Sequence, residues 1–393
     1  MKIVVEKSGG DFSSIQEAVN AVPYEESAEI VIGEGVFREK IFCEKKDITL
    51  VGEGVDKTVI VFDDYANEVM EDGSKRGTFR SYTVFLGGGR VHVKDMTIKN
   101  NAGDGRAVGQ AIAVYADADV CFFENVKIMG CQDTLFCAPL PRQERKKNGF
   151  MGPRVLTERR LTRQYYRDCE IIGDVDFIFG GADAVFDRCT VTCNDRMHSG
   201  FTDEVSLTGS VISGTTARSG VAADGKTASE GSASGNISLD KDQIDTRERF
   251  INGYITAACG RKEDLGFVFR NCRIGGAPGC EDGSVFLGRP WRDEARTVFL
   301  DCEMDATIAP ERFSGWGGIR VDQPDTFCGE FGSRVVSAAG DNGAEMPGAA
   351  LGGNDGSFAD LSAKNSWVRD IDEAMAAELS RRADDIVRVC TER

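Results

Sequence analysis

The sequence predicts an all-β solenoid, a stack of short strands closed by a helix at its N-terminal end. Three observations predict it. A six-residue frame recurs along the chain at 123–128 (FENVKI), 166–171 (YRDCEI), 186–191 (FDRCTV), 269–274 (FRNCRI) and 299–304 (FLDCEM), with a weaker copy at 93–98 (VKDMTI). Within each copy the apolar residues alternate with polar ones at the strand period of two, so the aromatic, the cysteine and the aliphatic residue face one side. The 46 glycines far outnumber the 9 prolines, which suits many tight turns rather than a proline-rich linker.

Residues 13–22 place Ile15, Ala18, Val19 and Val22 on one helical face. Ser14 with Glu17 makes a capping box and Pro23 stops the helix, so an N-terminal cap over about 1–25 is expected. Short apolar strands follow, among them 48–51, 59–62 and 91–93. The gaps between copies of the frame vary, as in coils of constant core and variable loops. Cys169, Cys189, Cys272 and Cys302 then form an internal column of small apolar side chains, the alternative being a metal cluster. Histidine is scarce, with only His92 and His198, and neither receives a function.

Two stretches interrupt the strands. Residues 139–162 are basic and polar, and residues 210–245 are rich in Ser, Gly, Ala, Thr and Asp. Both read as inserted loops leaving the scaffold, the second disordered, the first either plainly solvated or placed to attract a polyanion. The tail from about 334 ends in a helix near 370–389, with Ile371, Met375, Leu379, Ala383 and Ile386 on one face. That helix is a second cap or lies along the solenoid's side. Length alone leaves one large solenoid or two domains open; a single domain over 1–393 is expected.

The net charge of −17 argues against nucleic acid or an anionic membrane as partner. It would also repel a polyanionic substrate except at a local basic patch. No apolar run approaches membrane-spanning length. Thirteen cysteines without a Cys-x-x-Cys pair, behind no visible leader, predict reduced thiols and a cytoplasmic protein; a trimmed leader would make it secreted. A monomer is expected.

The chemistry concentrates between Gln110 and Gly180. Gln110 heads QAIA, Gln132 and Asp133 open QDTL, and Asp176 sits in GDVDFIFG, residues 173–180. Two acids and two amides mounted on strands suit general acid–base or nucleophilic work. Two histidines leave little material for serine–histidine hydrolysis.

Taken with GGDFSSIQEAV (9–19), GVFRE (35–39), the Asn101–Gly103 stretch before Gln110 and LGRPW (287–291), these motifs resemble the pectin methylesterases (pectinesterases) over nearly the whole chain. Phe37 stands where that family has tyrosine, Cys131 where it commonly has an aromatic residue, and both long loops are insertions. The resemblance implies a right-handed parallel β-helix that removes methyl groups from methyl-esterified galacturonan or oligogalacturonides, with no metal or organic cofactor. It further implies Asp176 as nucleophile, Asp133 as general acid and base, Gln110 and Gln132 as oxyanion donors, and Arg289 orienting Asp176. Trp291 and Phe177 would offer faces to sugar rings. Asp174 is left structural. A pectate lyase would want a calcium-binding carboxylate cluster, and a polygalacturonase three aspartates with a histidine. A glycan-binding solenoid without catalysis, or an esterase for other acyl esters, are the remaining alternatives.

Overall fold

The structure is a computed structural model that describes residues 1–197, 250–316, 325–336 and 367–392. Two compact units divide the chain, one formed by Met1–Asp203 with Ile251–Arg393 and the other by Glu204–Phe250. The second lies, but for Phe250, outside the described residues, as do the expected loop at 210–245 and His198.

The first unit is a parallel β-helix. Its strands stack into three columns, each pairing in parallel with the strand one coil before and after. The strand Val84–Asn100 shows one full coil: 84–88 pairs in sheet 3, 90–94 in sheet 1 and 97–100 in sheet 2. The repeat frame straddles the corner between sheets 1 and 2, and its copies pair in register: Val93 with Phe123, Phe123 with Tyr166, Tyr166 with Phe186, Phe186 with Phe269, Phe269 with Phe299.

That register explains the conserved shape of the frame within this chain. Its third residue turns the corner at positive φ: Asp95, Asn125, Asp168, Arg188, Asn271 and Asp301, at 51–57°. Asn and Asp tolerate this left-handed conformation best among residues with a side chain, and the Asn125 amide donates to Asp95 Oδ1 at 2.7 Å. The first residues stack face to face inside, with centroid distances of 4.8, 4.6, 4.3 and 4.5 Å from Phe123 through Tyr166, Phe186 and Phe269 to Phe299. Each such contact contributes about 0.5–1.5 kcal/mol beyond area burial. The column of Cys169, Cys189, Cys272 and Cys302 is buried in the same core. Each thiol lies 3.4–3.6 Å from the carbonyl oxygen of the preceding coil's aromatic residue. This is the packing expected from the sequence.

Helix α1 (Ile15–Ala21) forms where the capping box predicts it, with the Ser14 side chain accepting from Glu17 N–H. Glu39 adds what the motif GVFRE alone did not reveal. Its carboxylate accepts from Ser14 Oγ at 2.7 Å and from the Ile15 and Gln16 backbone N–H groups at 3.1 Å, satisfying the helix's free donors. Helix α2 (Gly105–Val108) is a single turn in the connection between the strands Val84–Asn100 and Val114–Ala116, with Gly105 against Gln132.

The C-terminal helix α3 (Glu373–Thr391) lies along the side, not over the end. Ala376, Leu379, Ala383, Ile386 and Cys390 pack on the outward residues of sheet 1, including Val120, Tyr165, Val185, Val268 and Val298. Ala376 takes the place expected of Met375, which is 38% exposed, because Asp372 caps the helix and starts its first turn there. Arg90 donates to the Val389 and Cys390 carbonyls at 3.0 Å, closing the other end.

Candidate active site

The catalytic candidates gather on sheet 3 and the corner leading into it. Three successive coils bring them together: Ala111 N–H donates to Gln132 O at 3.0 Å, and Asp133 N–H to Val175 O at 3.0 Å. Gln110, Gln132, Asp133, Asp176, Arg289 and Trp291 line one cavity of about 330 Å³.

Both acids sit in the left-handed backbone region. Asp133 has φ +63° and Asp176 φ +51°. At Asp176 the pairing of Val175–Gly180 with Gly253–Ala258 slips in register between Val175 and Ile178. Such a bulge breaks the strand's alternation and re-aims a side chain, here the carboxyl group into the cavity.

Arg289, just past the strand Val285–Gly288, grips Asp176 with both faces of its fork: Nε to Oδ1 at 2.8 Å and Nη2 to Oδ2 at 2.7 Å. Its guanidinium is sandwiched between the rings of Tyr254 and Trp316, each 4.0 Å from ring centroid to the central carbon. Burial pushes the Asp176 carboxyl up from the usual carboxylate range, and the Arg289 hydrogen bond and charge oppose that rise. Asp133 is pushed well above that range, first by burial and then by the charge of Asp176, with only partial relief from Arg289. The pair is therefore split in the sense that leaves the proton on Asp133 and the charge on Asp176.

Gln132 is held from behind. A side-chain carbon added at Gly105, in α2, would fall 2.8 Å from Gln132 Cβ and 3.0 Å from its Oε1, so only glycine leaves the amide its place. Asp174 Oδ1 accepts from Val175 N–H at 2.6 Å and its Oδ2 lies 3.5 Å from Arg196. Burial pushes its pKa up to about 6.

Phe177 does not serve as a sugar platform. Its side chain is fully buried in the central core, because it points to the face opposite Asp176. The bulge instead turns Phe179 outward, where it meets Trp291 at 5.8 Å with Phe79 and Phe150 nearby. Phe79, Phe150, Phe179, Tyr254 and Trp316 were not singled out in the sequence, and only the broken alternation after Asp176 signals any of them. His92 stacks on Phe122 and lies 3.4 Å from Glu124, on sheet 1 and away from this cavity.

The basic stretch expected to leave the scaffold folds back onto it. Phe150 is buried against Phe79 and Trp291, and Arg154 pairs with Asp117 and with Glu44, the latter at 2.7 Å, over the ring of Phe85. Glu144, Arg145, Lys146, Gly149 and Phe150 thereby rim the cavity.

The Pectinesterase family model matches residues 2–148, 159–224 and 239–349. The chain belongs to the pectinesterase family. Among its curated relatives, the Arabidopsis thaliana "Probable pectinesterase/pectinesterase inhibitor 64" is 30% identical over 80% of this chain and 43% of its own length. Pectinesterase 31 of the same plant is 25% identical over 82% of this chain and 80% of its own. The chain thus spans under half the length of the first of these curated relatives. Among solved structures, the pectin methylesterase from carrot superposes with a TM-score of 0.63 at 24% identity, covering 95% of this chain and 89% of its own. PemA from Erwinia chrysanthemi gives 0.62 at 22% identity over 100% and 97%. These likenesses show the parallel β-helix fold. Residues 149–158, which carry Phe150 and Arg154, fall in a gap of the family match.

Proposed function

We propose that this pectinesterase-family chain hydrolyses methyl esters of galacturonan or oligogalacturonides and releases methanol. The observation that carries the reading is the Arg289–Asp176 fork beside the buried Asp133 in one cavity. A neighbouring fold, a pectin methylesterase solved in complex with a hexasaccharide, adds support for a sugar-chain substrate.

Asp176, held ionised and oriented by Arg289, attacks the C6 carbonyl carbon of the esterified unit. The developing oxyanion is met by the Gln110 and Gln132 amide N–H groups, donors that contribute on the order of 3 kcal/mol each. Collapse breaks the bond to the methoxy oxygen, which takes the Asp133 proton and leaves as methanol, while Asp176 becomes an acyl anhydride. Asp133, now a carboxylate, takes a proton from water. The resulting hydroxide attacks the anhydride, frees Asp176 as its carboxylate and leaves a uronic acid, which loses its proton to solvent. Trp291 offers the ring face at the rim.

A reducing compartment suits the thirteen free thiols, twelve of them buried, and the proposed place of work is the cytoplasm, on imported oligogalacturonides. Cell fractionation that finds the protein outside the membrane would overturn that placement.

The test of the chemistry is methanol release from methylated trigalacturonate and from polymeric pectin, with Asp176→Ala as control. Release by the native chain and none by the variant supports the reading. Absence of methanol from both substrates refutes it and favours a glycan-binding solenoid or an esterase for other acyl groups.

A further inference from the structure

Asp174 takes no part in the acyl transfer, yet it is only 3% exposed and lies at the corner where the coil of Asp133 meets the coil of Asp176. Two backbone bonds join these coils there. Asp174 N–H donates to Cys131 O at 3.0 Å, and Asp133 N–H donates to Val175 O at 3.0 Å. The Asp174 carboxyl group holds the same residue from its other side, Oδ1 accepting from Val175 N–H at 2.6 Å. Val175 is thus gripped at its N–H by Asp174, receives Asp133 at its carbonyl, and leads directly into Asp176.

The second oxygen faces a cation. Arg196 Nε lies 3.5 Å from Asp174 Oδ2, and the Arg196 backbone N–H donates to Asn252 Oδ1 at 2.8 Å. That Nε is buried without a hydrogen bond, so the contact is one of charge and not of a donated proton. Burial pushes the Asp174 carboxyl up to about 6, against Arg196, the Val175 N–H and Arg106, while Asp104 adds to the rise. The neighbouring thiols of Cys131 and Cys193 are pushed far up by burial and stay neutral. Near neutral pH Asp174 therefore carries a charge, which adds to burial and to Asp176 in raising the Asp133 carboxyl.

We propose that Asp174 is a positioning residue for the reaction: through Val175 it sets Asp133 against Asp176, and its charge acts on Asp133 across that residue. The inference rests on the pectin methyl ester reading above. Arg289 holds the charge on Asp176, so the effect of a third carboxylate falls on the partner that must keep a proton. Asp174 opposes loss of that proton, and the general acid stays usable to higher pH.

The test is the pH profile of kcat for methanol release from methylated trigalacturonate, in the native chain, Asp174→Asn and Asp174→Ala. Asparagine keeps an oxygen for the Val175 N–H and loses the charge; alanine loses both. In Asp174→Asn the basic limb is expected to move to lower pH, with kcat about fivefold below native on that limb. Asp174→Ala should fall about tenfold across the whole range, because Val175 is released as well. Asp174→Thr, which also offers an uncharged oxygen, replaces the asparagine variant if that one misfolds. A purely structural Asp174 would leave the uncharged variant's basic limb at its native pH, and that result overturns the proposal. Absence of methanol from the native chain would refute the esterase reading instead. Carboxyl NMR titration of aspartate-labelled protein, with Asp133 assigned by its loss in Asp133→Asn, then decides. An Asp133 midpoint that falls in Asp174→Asn supports the proposal, and an equal midpoint overturns it.

Discussion

Arg289 holds Asp176 through two parallel contacts of 2.8 and 2.7 Å across two coils of the β-helix, from the end of one strand to the bulge in another. Both partners are largely buried, with side chains 17% and 8% exposed, so each depends on the other for its charge.

Removing the cation should therefore hurt stability as well as activity. Arg289→Ala is expected to cost roughly 3–5 kcal/mol by stranding a buried carboxylate. Arg289→Lys keeps the charge but loses the fork and the sandwich between Tyr254 and Trp316. Its kcat should fall about a hundredfold with a smaller loss of stability. Denaturant melts and methanol-release kinetics on the two variants check both statements; equal behaviour of Lys and Arg would refute the role of the fork.

Asp133 gives a pH signature. Its folded pKa lies well above the ordinary carboxylate value, so its contribution to stability is present below that ordinary value and is lost as pH rises through the folded one. Asp133→Asn cannot ionise and should gain stability relative to the native chain as pH is raised from about 4 towards neutrality. Methanol release should be abolished in the same variant. Melting curves across that range test the sign, and a gap that narrows with pH would contradict it.

Gly105 tests the position of Gln132 without touching a reacting group. Gly105→Ala puts a methyl group 2.8 Å from Gln132 Cβ, so the amide must move. A drop in kcat of about tenfold is expected, since an oxyanion donor displaced by a fraction of an ångström loses much of its effect. KM should change little. A variant with native kcat would show that Gln132 tolerates the shift.

Arg154 pins the basic segment. Arg154→Ala removes the partner of Asp117, a carboxyl already pushed up by burial, together with the contact to Glu44. Proteolysis within 142–158 should accelerate at least tenfold while the β-helix core stays resistant, because opening becomes local. Limited proteolysis with mass mapping reads this directly.

Much of this architecture is legible in the sequence because the repeat frame carries its own geometry. Asp or Asn in its third place marks the corner, and the aromatic and cysteine places mark the interior. The acids, amides and Arg289 were found by their motifs, and they meet in one cavity. Phe177 lies in the core and not at the sugar face its motif suggests, because Asp176 beside it takes the outward side; the bulge that turns Phe179 out is a feature of register, which the sequence does not spell out. The basic segment read as a loop leaving the scaffold because its anchors, Phe150 and Arg154, find their partners in residues far away in sequence.

The corner between sheets 1 and 2 turns on one left-handed residue in coil after coil, whereas the connections at 63–83, 101–113 and 138–162, into and out of sheet 3, differ widely in length. From Asp95 onward that corner is kept tight, although one coil earlier residues 52–57 join sheets 1 and 2. The other corners carry no such constraint and open beside the catalytic cavity. Insertions can accumulate there, altering which chain ends and charge patterns are admitted, while Asp133, Asp176 and Arg289 stay where the stacking of coils puts them. Selectivity in this molecule is free to drift on a different clock from its chemistry.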